Sequence, residues 1–461
     1  MMNKIFLTDS YKITHWKQYP PGTEGVYSYF ESRYGSPTLF FGLQAILMNH
    51  LVPNDKEWGS LVNVSEIFNA NKFFEQHFGE GHFNHKGWLH IIRAHGGNFP
   101  IRIKAVPEGT LVPSGNVLMT VENTCPECAW VTNYIETLLV QVWYPCTVAS
   151  YSRECKAIIR DFMEDTGADM AGLNFKLHDF GYRGSTSVES AGLGGAAHLV
   201  NFRGTDTLAG IYVAQHCYGE PCAGFSIPAS EHSTMTAWGE AYERAAIENM
   251  LTQYPTGLVA CVCDSYDLMR AVGTYIGKDL KDKVLARDGC LVVRPDSGDP
   301  PGIVLRVLES LGRAFGTSTN EKGFKVLDPH VRIIQGDGID KDMIGLVLGL
   351  AKVHGWSADN IAFGSGGGLL QKHNRDDKSY AFKCSAVKIG GEWKDVQKKP
   401  VTMATKASKP GRLALMKSGA GYITQREETS DPALNELQTV YQDGKLLKKW
   451  TFAEIRERAS L

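Results

Sequence analysis

The chain lacks an excess of charge of either sign. Its 461 residues include 48 lysines and arginines against 50 aspartates and glutamates, which gives a net charge of −2. A protein that binds nucleic acid over a whole face needs a strongly basic surface, so we expect no nucleic-acid partner, although a local basic pocket stays possible. Hydrophobic residues make up 43% and charged residues 21% of the sequence, which excludes a disordered chain and is typical of two or three globular domains.

Long hydrophobic runs are also missing. The richest apolar stretch, 137–144, is interrupted by Gln141 and is far shorter than the ~18 residues that a membrane-spanning helix needs. The first residues, MMNKIFLTDSYK, are polar where a signal peptide has its apolar centre. We therefore expect a cytoplasmic protein with no membrane partner.

Cysteine is sparse and does not form the pattern of a disulfide scaffold, since the long chain has only ten. One CxxC motif is present, at Cys125 and Cys128. A zinc site would need a second pair of ligands at a suitable spacing, and none is evident in the sequence, while a redox motif is a further alternative. We interpret the motif as a chance occurrence and expect no metal ligands in the chain.

Strand patterns dominate the first 145 residues. The segment 26–31 has an extended pattern, and 100–105 alternates apolar with basic residues, as expected for a half-buried strand. An apolar helix is predicted around 128–142 and an amphipathic one near 150–164. Near the other end, Asp443-Gly444 predicts a hairpin, and Thr451 with Glu454 predicts a capping box for a last helix.

Between about 175 and 370 the pattern changes to serial βα units. Short apolar runs end in a polar or glycine-rich cluster, and a helical stretch usually follows. The seven clusters are 178–183, 203–206, 226–232, 263–265, 294–298, 335–338 and 364–368. Chemistry at every strand end favours an α/β barrel over a doubly wound sheet, in which ligand contacts concentrate at one switch point.

Glycine is abundant, with 48 residues, and the two most glycine-rich clusters, 336–338 and 364–368, come last. Barrel enzymes often bind a phosphate after the final two strands, through backbone N–H groups. No Gly-Lys-Ser/Thr follows, which excludes a Walker loop. We predict a phosphate site in these loops, with a flexible turn as the alternative.

Charged residues at the strand ends are candidates for sugar and phosphate binding. Arg294 and Asp296 are two residues apart, so both can face the barrel mouth, or they can form a salt bridge with each other. Asp206 and Asp264 follow apolar runs, where a carboxylate can bind a ligand or cap a helix. His232 begins a predicted helix and is either catalytic or structural.

Cations gather late in the sequence, for example at 372, 375, 383, 398 and 409. They form either a solvated face or the binding site of a polyanion such as a diphosphate. Together with the phosphate loops and the carboxylates, these parts fit phosphoribosyl transfer, in which catalysis consists mostly of charge neutralisation and positioning.

At these motifs the sequence closely resembles the nicotinamide phosphoribosyltransferase family, to which nicotinate and quinolinate phosphoribosyltransferases are more distantly related. The resemblance covers almost the whole chain, in stretches that include LTDSYKITHWKQYPPGT (7–23), VYSYFESR (26–33), KLHDFGYRG (176–184), AHLVNFRGTD (197–206), IPASEHSTMTAWG (227–239), RPDSG (294–298), IIQGDGID (333–340) and IAFGSGGGLLQK (361–372).

The resemblance implies a type II fold, an irregular α/β barrel with a second, β-rich domain built from both chain ends. We expect the barrel over 149–384 and the β-rich domain over 1–148 plus 385–461. The implied reaction moves phosphoribosyl from phosphoribosyl diphosphate to nicotinamide, with Mg²⁺ bound to the diphosphate and ATP as a coupling co-substrate. The implied assembly is a head-to-tail homodimer with shared active sites.

The resemblance also implies roles for single residues. Phe180 and the partner's Tyr11 are expected to sandwich the nicotinamide ring, and Asp206 to accept a hydrogen bond from its carboxamide. Arg183 and Arg294 are expected near the ring and the phosphates. Ala260 stands at a ring-pocket position where the animal enzymes carry serine.

Further residues follow from the same motifs. Asp296 is expected to bind the ribose hydroxyls, and His232 to be phosphorylated by ATP with the support of Asp264. The residues expected to bind the 5′-phosphate are Gly336, Asp337, Gly366 and Gly367. Other substrate-binding residues are Asp9 and the basic group Arg33, Arg375, Lys383 and Lys398.

Three alternative functions stay open at this point. A nicotinate phosphoribosyltransferase has the same fold, but Asp206 would repel the nicotinate carboxylate. A phosphosugar isomerase or aldolase would need a lysine or glutamate at a strand end, where we find carboxylates and an arginine. A non-enzymatic signalling role would not require the full set of site residues.

Overall fold

The computed structural model describes residues 2–53, 60–402, 407–419 and 421–461. The chain divides into two compact units. The first unit comprises 1–150, 216–220 and 373–460, and the second comprises 151–215, 221–372 and Leu461. Residues 373–384, which the predicted boundary assigned to the barrel, belong to the first unit because the strand Ala381–Ile389 pairs with Thr23–Glu31.

The first unit is built around a seven-stranded sheet that combines strands from both ends of the chain. Its strands, in spatial order, are Glu392–Asp395, Ala381–Ile389, Thr23–Glu31, Val117–Asn123, Ile101–Ala105, Gln438–Gln442 and Lys445–Leu446. Their pairings are antiparallel. Two smaller antiparallel pairs are Thr38–Leu39 with Leu111–Val112 and Leu413–Ser418 with Gly421–Arg426.

Several local predictions are confirmed in this unit. The strand Ile101–Ala105 buries every second residue, as its alternating sequence requires. Asp443 and Gly444 form the turn of the hairpin between Gln438–Gln442 and Lys445–Leu446, and both have the positive φ that such a turn needs. Thr451 and Glu454 form the predicted capping box.

The second unit contains a six-stranded parallel sheet. Its strands, in spatial order, are Gly204–Thr205, Leu177–Asp179, Ile361–Ser365, Val331–Gln335, Asp288–Arg294 and Thr256–Val262. A separate antiparallel pair is formed by Thr317–Thr319 and Lys325–Leu327. The longer strands of the six-stranded sheet contain apolar runs, such as 258–262, 290–293 and 361–363, as expected when helices cover a parallel sheet.

An irregular segment, 225–230, bridges the two edge strands of this sheet. The N–H of Phe225 donates to the carbonyl of Arg203, and the N–H of Ala260 donates to the carbonyl of Pro228. The segment has only isolated bridges, to Gly204 and to Ala260. The parallel sheet is thus a half-barrel completed by a segment that is not a regular strand, which confirms the predicted irregular α/β barrel and the mixed α/β class.

The helices follow from end signals in the sequence. For example, the side chain of Asp299 caps the helix Pro300–Phe315 by accepting from the N–H of Gly302, and Pro300 occupies its first turn. The described α-helices are Leu43–His50, Val64–Phe78, His85–His95, Val131–Tyr134, Glu136–Val140, Trp143–Asp165, Val188–Leu199, Leu208–Tyr218, His232–Thr236, Glu243–Gln253, Leu268–Arg270, Lys281–Leu285, Pro300–Phe315, Lys341–Val353, Gly367–Leu370 and Phe452–Arg458. Among the described residues, none of these helices has both the length and the apolar character of a membrane span.

Two helix predictions need correction. The single helix expected around 128–142 is a 3₁₀ turn, Pro126–Cys128, followed by two short helices, Val131–Tyr134 and Glu136–Val140. The helix expected near 150–164 begins earlier and spans Trp143–Asp165, because Pro145 lies in its first turn, where proline is tolerated.

Candidate active site

The predicted residues of the second unit lie at one edge of the parallel sheet. Of the seven polar clusters, all but 226–232 directly follow or overlap the end of a strand. Because the carboxyl ends of parallel strands meet at the same edge, these clusters come together at one mouth. The remaining cluster reaches the mouth through the bridging segment 225–230.

Phe180 lies at the centre of this mouth. Its ring packs against an apolar cluster formed by Ala260, Val292 and Ile334, and its N–H donates to the carbonyl of Ser365 at 2.9 Å. Ala260 is thus a member, together with Cys290, of the cluster against which the Phe180 ring packs. An aromatic ring fixed in this way offers a rigid face on which a flat ligand can stack.

Two of the strand-end glycines leave space for the Phe180 ring. A Cβ added at Gly364 would lie 1.9 Å from Cε2 of Phe180, and one at Gly336 would lie 3.2 Å from the same atom. By contrast, a Cβ at Gly367 would meet nothing within 4 Å. Gly367 therefore leaves the backbone open at the start of the helix Gly367–Leu370, where N–H groups lack intrahelical partners. A Cβ at Gly366 would lie 3.6 Å from the carbonyl oxygen of Phe180.

Asp206 is held by two neighbours at the end of the strand Gly204–Thr205. Its Oδ1 lies 3.1 Å from Nε2 of His178 and accepts a hydrogen bond from Oγ of Ser226. Burial by itself raises the pKa of Asp206, but the nearby His178 imidazole, the hydrogen bond from Ser226 and the charge of Arg294 outweigh it and lower that pKa. The centroid of the His178 ring lies 5.1 Å from that of the Phe180 ring. The His178 imidazole therefore contacts both the Asp206 carboxylate and the Phe180 ring.

His232, Asp264, Arg294 and Asp296 form a second group at the mouth. Nε2 of His232 lies 3.3 Å from Oδ2 of Asp296 and 3.8 Å from Oδ1 of Asp264, while Nδ1 lies 3.4 Å from Oγ of Ser265. The Arg294 guanidinium is 3.7 Å from Asp296. The salt bridge between Arg294 and Asp296, which the sequence left open as the alternative to a ligand site, thus exists together with the contact between Asp296 and His232.

Two more predicted residues, Arg183 and Asp337, are exposed in loops that follow strands. Arg183 belongs to the turn Tyr182–Gly184, and Asp337 follows the strand Val331–Gln335. The carbonyl of Asp337 accepts a hydrogen bond from the Gln335 side chain at 3.0 Å. This contact fixes the loop backbone and leaves the Asp337 carboxylate exposed to solvent.

The predicted residues of the first unit line one cavity of about 690 Å³. They come from segments far apart in the sequence and comprise Asp9, Tyr11, Arg33, Arg375, Lys383 and Lys398. The Tyr11 side chain is largely exposed. Asp9 accepts a hydrogen bond at 2.7 Å from Oγ1 of Thr137, which also lines the cavity.

The cavity has more positive charge than its carboxylates balance. Burial lowers the pKa of Lys383, and the nearby charges of Arg33, Lys398 and Arg375 lower it further, while Glu136 acts in the opposite direction. Cations that destabilise one another in this way are stabilised by a bound anion. The late lysines and arginines named here thus form a pocket rather than a solvated face.

Sequence reasoning missed the residues that position the ones it found. His178 supports Asp206 from the neighbouring strand, and Ser265 contacts His232. Asp179 accepts from the N–H of Gly181 at 2.7 Å, although burial raises its pKa to about 6. His178 could have been predicted from the sequence, because side chains two residues apart in an extended segment face the same side, and His178 is two residues before Phe180.

The chain matches two family models. One describes the nicotinate phosphoribosyltransferase (NAPRTase) family and covers residues 175–445, and the other describes the N-terminal domain of nicotinamide phosphoribosyltransferase and covers 3–103. A protein of Xanthomonas campestris named nicotinamide phosphoribosyltransferase is 47% identical over 99% of this chain and 98% of its own length. A protein of the same name from Acinetobacter baylyi is 31% identical over 99% and 97%.

Solved structures agree with this result at the level of the fold. The human nicotinic acid phosphoribosyltransferase structure superposes with a TM-score of 0.60 over 98% of this chain and 93% of its own, at 18% identity. The resemblance identified from the sequence motifs is confirmed. The chain belongs to the nicotinate phosphoribosyltransferase family and carries the N-terminal domain found in nicotinamide phosphoribosyltransferases.

Proposed function

We propose that this enzyme transfers the phosphoribosyl group of phosphoribosyl diphosphate to nicotinamide, giving nicotinamide mononucleotide and pyrophosphate in NAD salvage. The observation that carries the proposal is the Asp206 carboxylate, held by His178 beside the Phe180 ring. The relatives at 47% and 31% identity carry the name of this activity.

The ring site explains the choice of the amide. Nicotinamide stacks on Phe180, and its carboxamide N–H donates to Asp206, whose pKa is lowered so that it stays ionised at neutral pH. The carboxylate of nicotinate would instead face a like charge. At a separation of ~5 Å and an effective dielectric between ~20 and ~80, that repulsion amounts to roughly 1–3 kcal/mol.

The chemical step needs no proton transfer. The lone pair of the pyridine nitrogen attacks the anomeric carbon as its bond to the diphosphate oxygen breaks, and pyrophosphate leaves with the bonding electrons. Positive charge develops on the ribose during this step. The Asp296 carboxylate binds the ribose hydroxyls and stabilises this charge. Arg294 neutralises phosphate charge, and the backbone at Gly336, Asp337, Gly366 and Gly367 binds the 5′-phosphate.

Mg²⁺, which the family implies, fits the carboxylates of the mouth. Oδ1 of Asp264 is buried and has no hydrogen-bond partner among the described residues, and Asp296 adds a second carboxylate. Mg²⁺ binds through one or two carboxylates together with substrate phosphates and its own waters. Asp264 and Asp296 would hold the ion, which would neutralise charge on the diphosphate.

ATP coupling through His232 is part of the proposal. The carboxylate of Asp296 at 3.3 Å favours the tautomer with the proton on Nε2, which leaves the lone pair on Nδ1 for the γ-phosphoryl group. The side chain is about half exposed, so ATP can reach it. Radiolabelled ATP should give an acid-labile label on the wild type and on His354→Ala, but none on His232→Ala; a labelled His232→Ala would refute this role.

A homodimer with shared sites completes the proposal, in which the partner's Tyr11 covers the nicotinamide ring and the basic cavity binds the phosphates. Asp296→Asn should inactivate the enzyme, and Lys383→Met should lower its activity roughly 10- to 150-fold when phosphoribosyl diphosphate is below saturation. When the two variants are mixed and allowed to exchange chains, half of the sites in each mixed dimer combine two unchanged units, so activity should return. Mixed dimers without recovered activity would contradict shared sites.

All ten cysteines are free, which supports the expected cytoplasmic location.

Steady-state rates with both pyridine substrates test the function itself. The wild type should prefer nicotinamide, and Asp206→Ala should reduce the ratio of kcat/KM for nicotinamide over nicotinate by roughly 5- to 150-fold, which corresponds to the repulsion of roughly 1–3 kcal/mol. A wild-type preference for nicotinate would instead establish the alternative, a nicotinate phosphoribosyltransferase. An unchanged ratio in the variant would remove Asp206 from the selectivity argument.

A further inference from the structure

Four side chains with zinc-binding chemistry meet in the first unit, in a group that the catalytic proposal does not use. They are His90, His95, Cys125 and Cys128, and one ligand atom from each lies within 4.8 Å of all the others. The cysteines are buried and the histidines are partly buried. This group supplies the second ligand pair that was not evident beside the CxxC motif in the sequence.

Two rigid elements carry the four residues. His90 and His95 belong to the helix His85–His95, and His95 is its last residue. Cys125 precedes the 3₁₀ turn Pro126–Cys128 as its N-cap residue, and Cys128 is the last residue of that turn. Trp88 of the helix makes an edge-on contact, with ring centroids 5.2 Å apart, with Trp130, which lies two residues after the turn. The backbone positions of the group are therefore fixed by packing.

The distances are close to those of a tetrahedral zinc site. Bonds of about 2.3 Å to sulfur and about 2.0 Å to nitrogen place the ligand atoms of a tetrahedron roughly 3.3–3.8 Å apart. Nε2 of His90 already lies 3.4 Å from Sγ of Cys125. The largest separation in the group, up to 4.8 Å, closes to the tetrahedral value with a movement of about 1 Å, which side-chain rotation can supply.

One ligand atom lacks any other explanation. Nε2 of His95 is buried and finds no hydrogen-bond partner in the parts of the chain that the structure describes. A buried polar atom without a partner costs roughly 1–3 kcal/mol. The helix C-terminus at His95 also carries partial negative charge that favours a nearby cation. A metal ion at the centre of the group would give this nitrogen its partner.

We propose that His90, His95, Cys125 and Cys128 bind one Zn²⁺ in a closed, structural site. Two thiolates and two imidazoles are soft and intermediate ligands that select Zn²⁺ over Mg²⁺ or Ca²⁺. The C-x₂-C and H-x₄-H spacings match those of structural zinc sites. Four protein ligands leave no open position, so the ion stabilises the fold and does not take part in phosphoribosyl transfer.

The proposed ion would act as a crosslink between the helix His85–His95 and the turn Pro126–Cys128. The ligand pairs are separated by the strands Ile101–Ala105 and Val117–Asn123, which lie side by side in the sheet of the first unit. Closing this long loop restricts the unfolded chain, and metal binding contributes directly to the free energy of folding.

Metal content tests the proposal without using enzyme activity. The full-length protein is purified without chelator, and zinc is measured by plasma mass spectrometry; one equivalent per chain is expected. Replacement by Co²⁺ should give the visible bands of a tetrahedral ion and the charge-transfer band of a cobalt–thiolate bond. Cys128→Ser and His95→Ala should lose the metal, while the controls Cys222→Ser and His85→Ala should keep it.

Stability gives a second, independent measurement. Removal of zinc from the wild type should lower its Tm by several degrees, and re-addition of Zn²⁺ should restore it, because a ligand that binds only the folded state stabilises it. Wild-type protein that takes up neither Zn²⁺ nor Co²⁺ would overturn the proposal, and this holds even if the ligand variants do not fold. Metal retained in folded Cys128→Ser and His95→Ala would overturn it as well, because the ion would then lie elsewhere.

Discussion

Replacing Gly364 with alanine tests whether the Phe180 ring packs directly against the backbone of Gly364. The added Cβ would lie 1.9 Å from Cε2 and 2.3 Å from Cδ2 of Phe180, whereas carbon atoms in contact are about 3.5 Å apart. The ring edge must therefore move by roughly 1.6 Å. The strand Ile361–Ser365 cannot yield instead, since it is buried and paired on both sides with Val331–Gln335 and Leu177–Asp179.

The expected loss of nicotinamide binding follows from the displacement of the Phe180 ring. Misplacing one stacked aromatic face costs about 0.5–1.5 kcal/mol, which raises KM for nicotinamide by roughly 2- to 13-fold. Overpacking of the site costs about 1–3 kcal/mol of folding stability. Gly364 does not have a positive φ, so the backbone accepts alanine and the effect comes through Phe180.

Steady-state kinetics and thermal unfolding of Gly364→Ala measure both effects. KM for phosphoribosyl diphosphate should change little, because the three atoms nearest to the added Cβ all belong to the Phe180 ring. Gly345→Ala is the matched control, since its Cβ meets nothing within 4 Å in the helix Lys341–Val353, and it should stabilise the protein by up to ~1 kcal/mol. Wild-type KM and Tm in Gly364→Ala would refute the placement of the ring.

Two further predictions concern charge. Lys383→Met removes a half-buried cation from the basic cavity and should raise KM for phosphoribosyl diphosphate by roughly 10- to 150-fold, as expected for a charged hydrogen bond of about 1.5–3 kcal/mol. Lys388→Met, on the same strand but outside the cavity, should leave this KM unchanged. Burial lowers the pKa of His198 to about 3, so the unfolded chain takes up a proton there as the pH falls below about 6.5 and stability is lost. Between pH 7 and pH 5 the wild type should lose about 2 kcal/mol relative to His198→Gln in urea titrations; equal losses would contradict the neutral, buried state of this imidazole.

Features with a local cause were predictable from the sequence. Alternating residues give the strand Ile101–Ala105, and turn and cap residues give the hairpin at Asp443 and the helix end at Thr451. The strand-end clusters were predictable too, because parallel strands bring their carboxyl ends to one edge. The resemblance to a known family then supplied the identity of the site residues.

The remaining features depend on contacts between distant segments. The bridging segment 225–230 has no strand pattern of its own and is defined by its hydrogen bonds to two edge strands. The pairing of the CxxC motif with His90 and His95 joins residues that are at least 30 positions apart in the sequence. The expected single helix at 128–142 is broken, because tertiary packing overrides a helix propensity that is only weakly specified.

Gly336 lies between Phe180, which forms the proposed nicotinamide site, and Asp296, which forms the proposed ribose site. A Cβ at this position would lie 3.2 Å from Cε2 of Phe180 and 3.3 Å from Oδ1 of Asp296. The aromatic ring and the proposed ribose-binding carboxylate therefore both lie next to the Cα of Gly336. Its φ is not positive, and glycine is thus required here by close approach and not by backbone conformation. Gly336→Ala should therefore raise KM for both substrates, whereas Gly364→Ala affects nicotinamide alone. If both variants changed only the KM for nicotinamide, Asp296 would bind no part of the ribose, and the two sites would be independent.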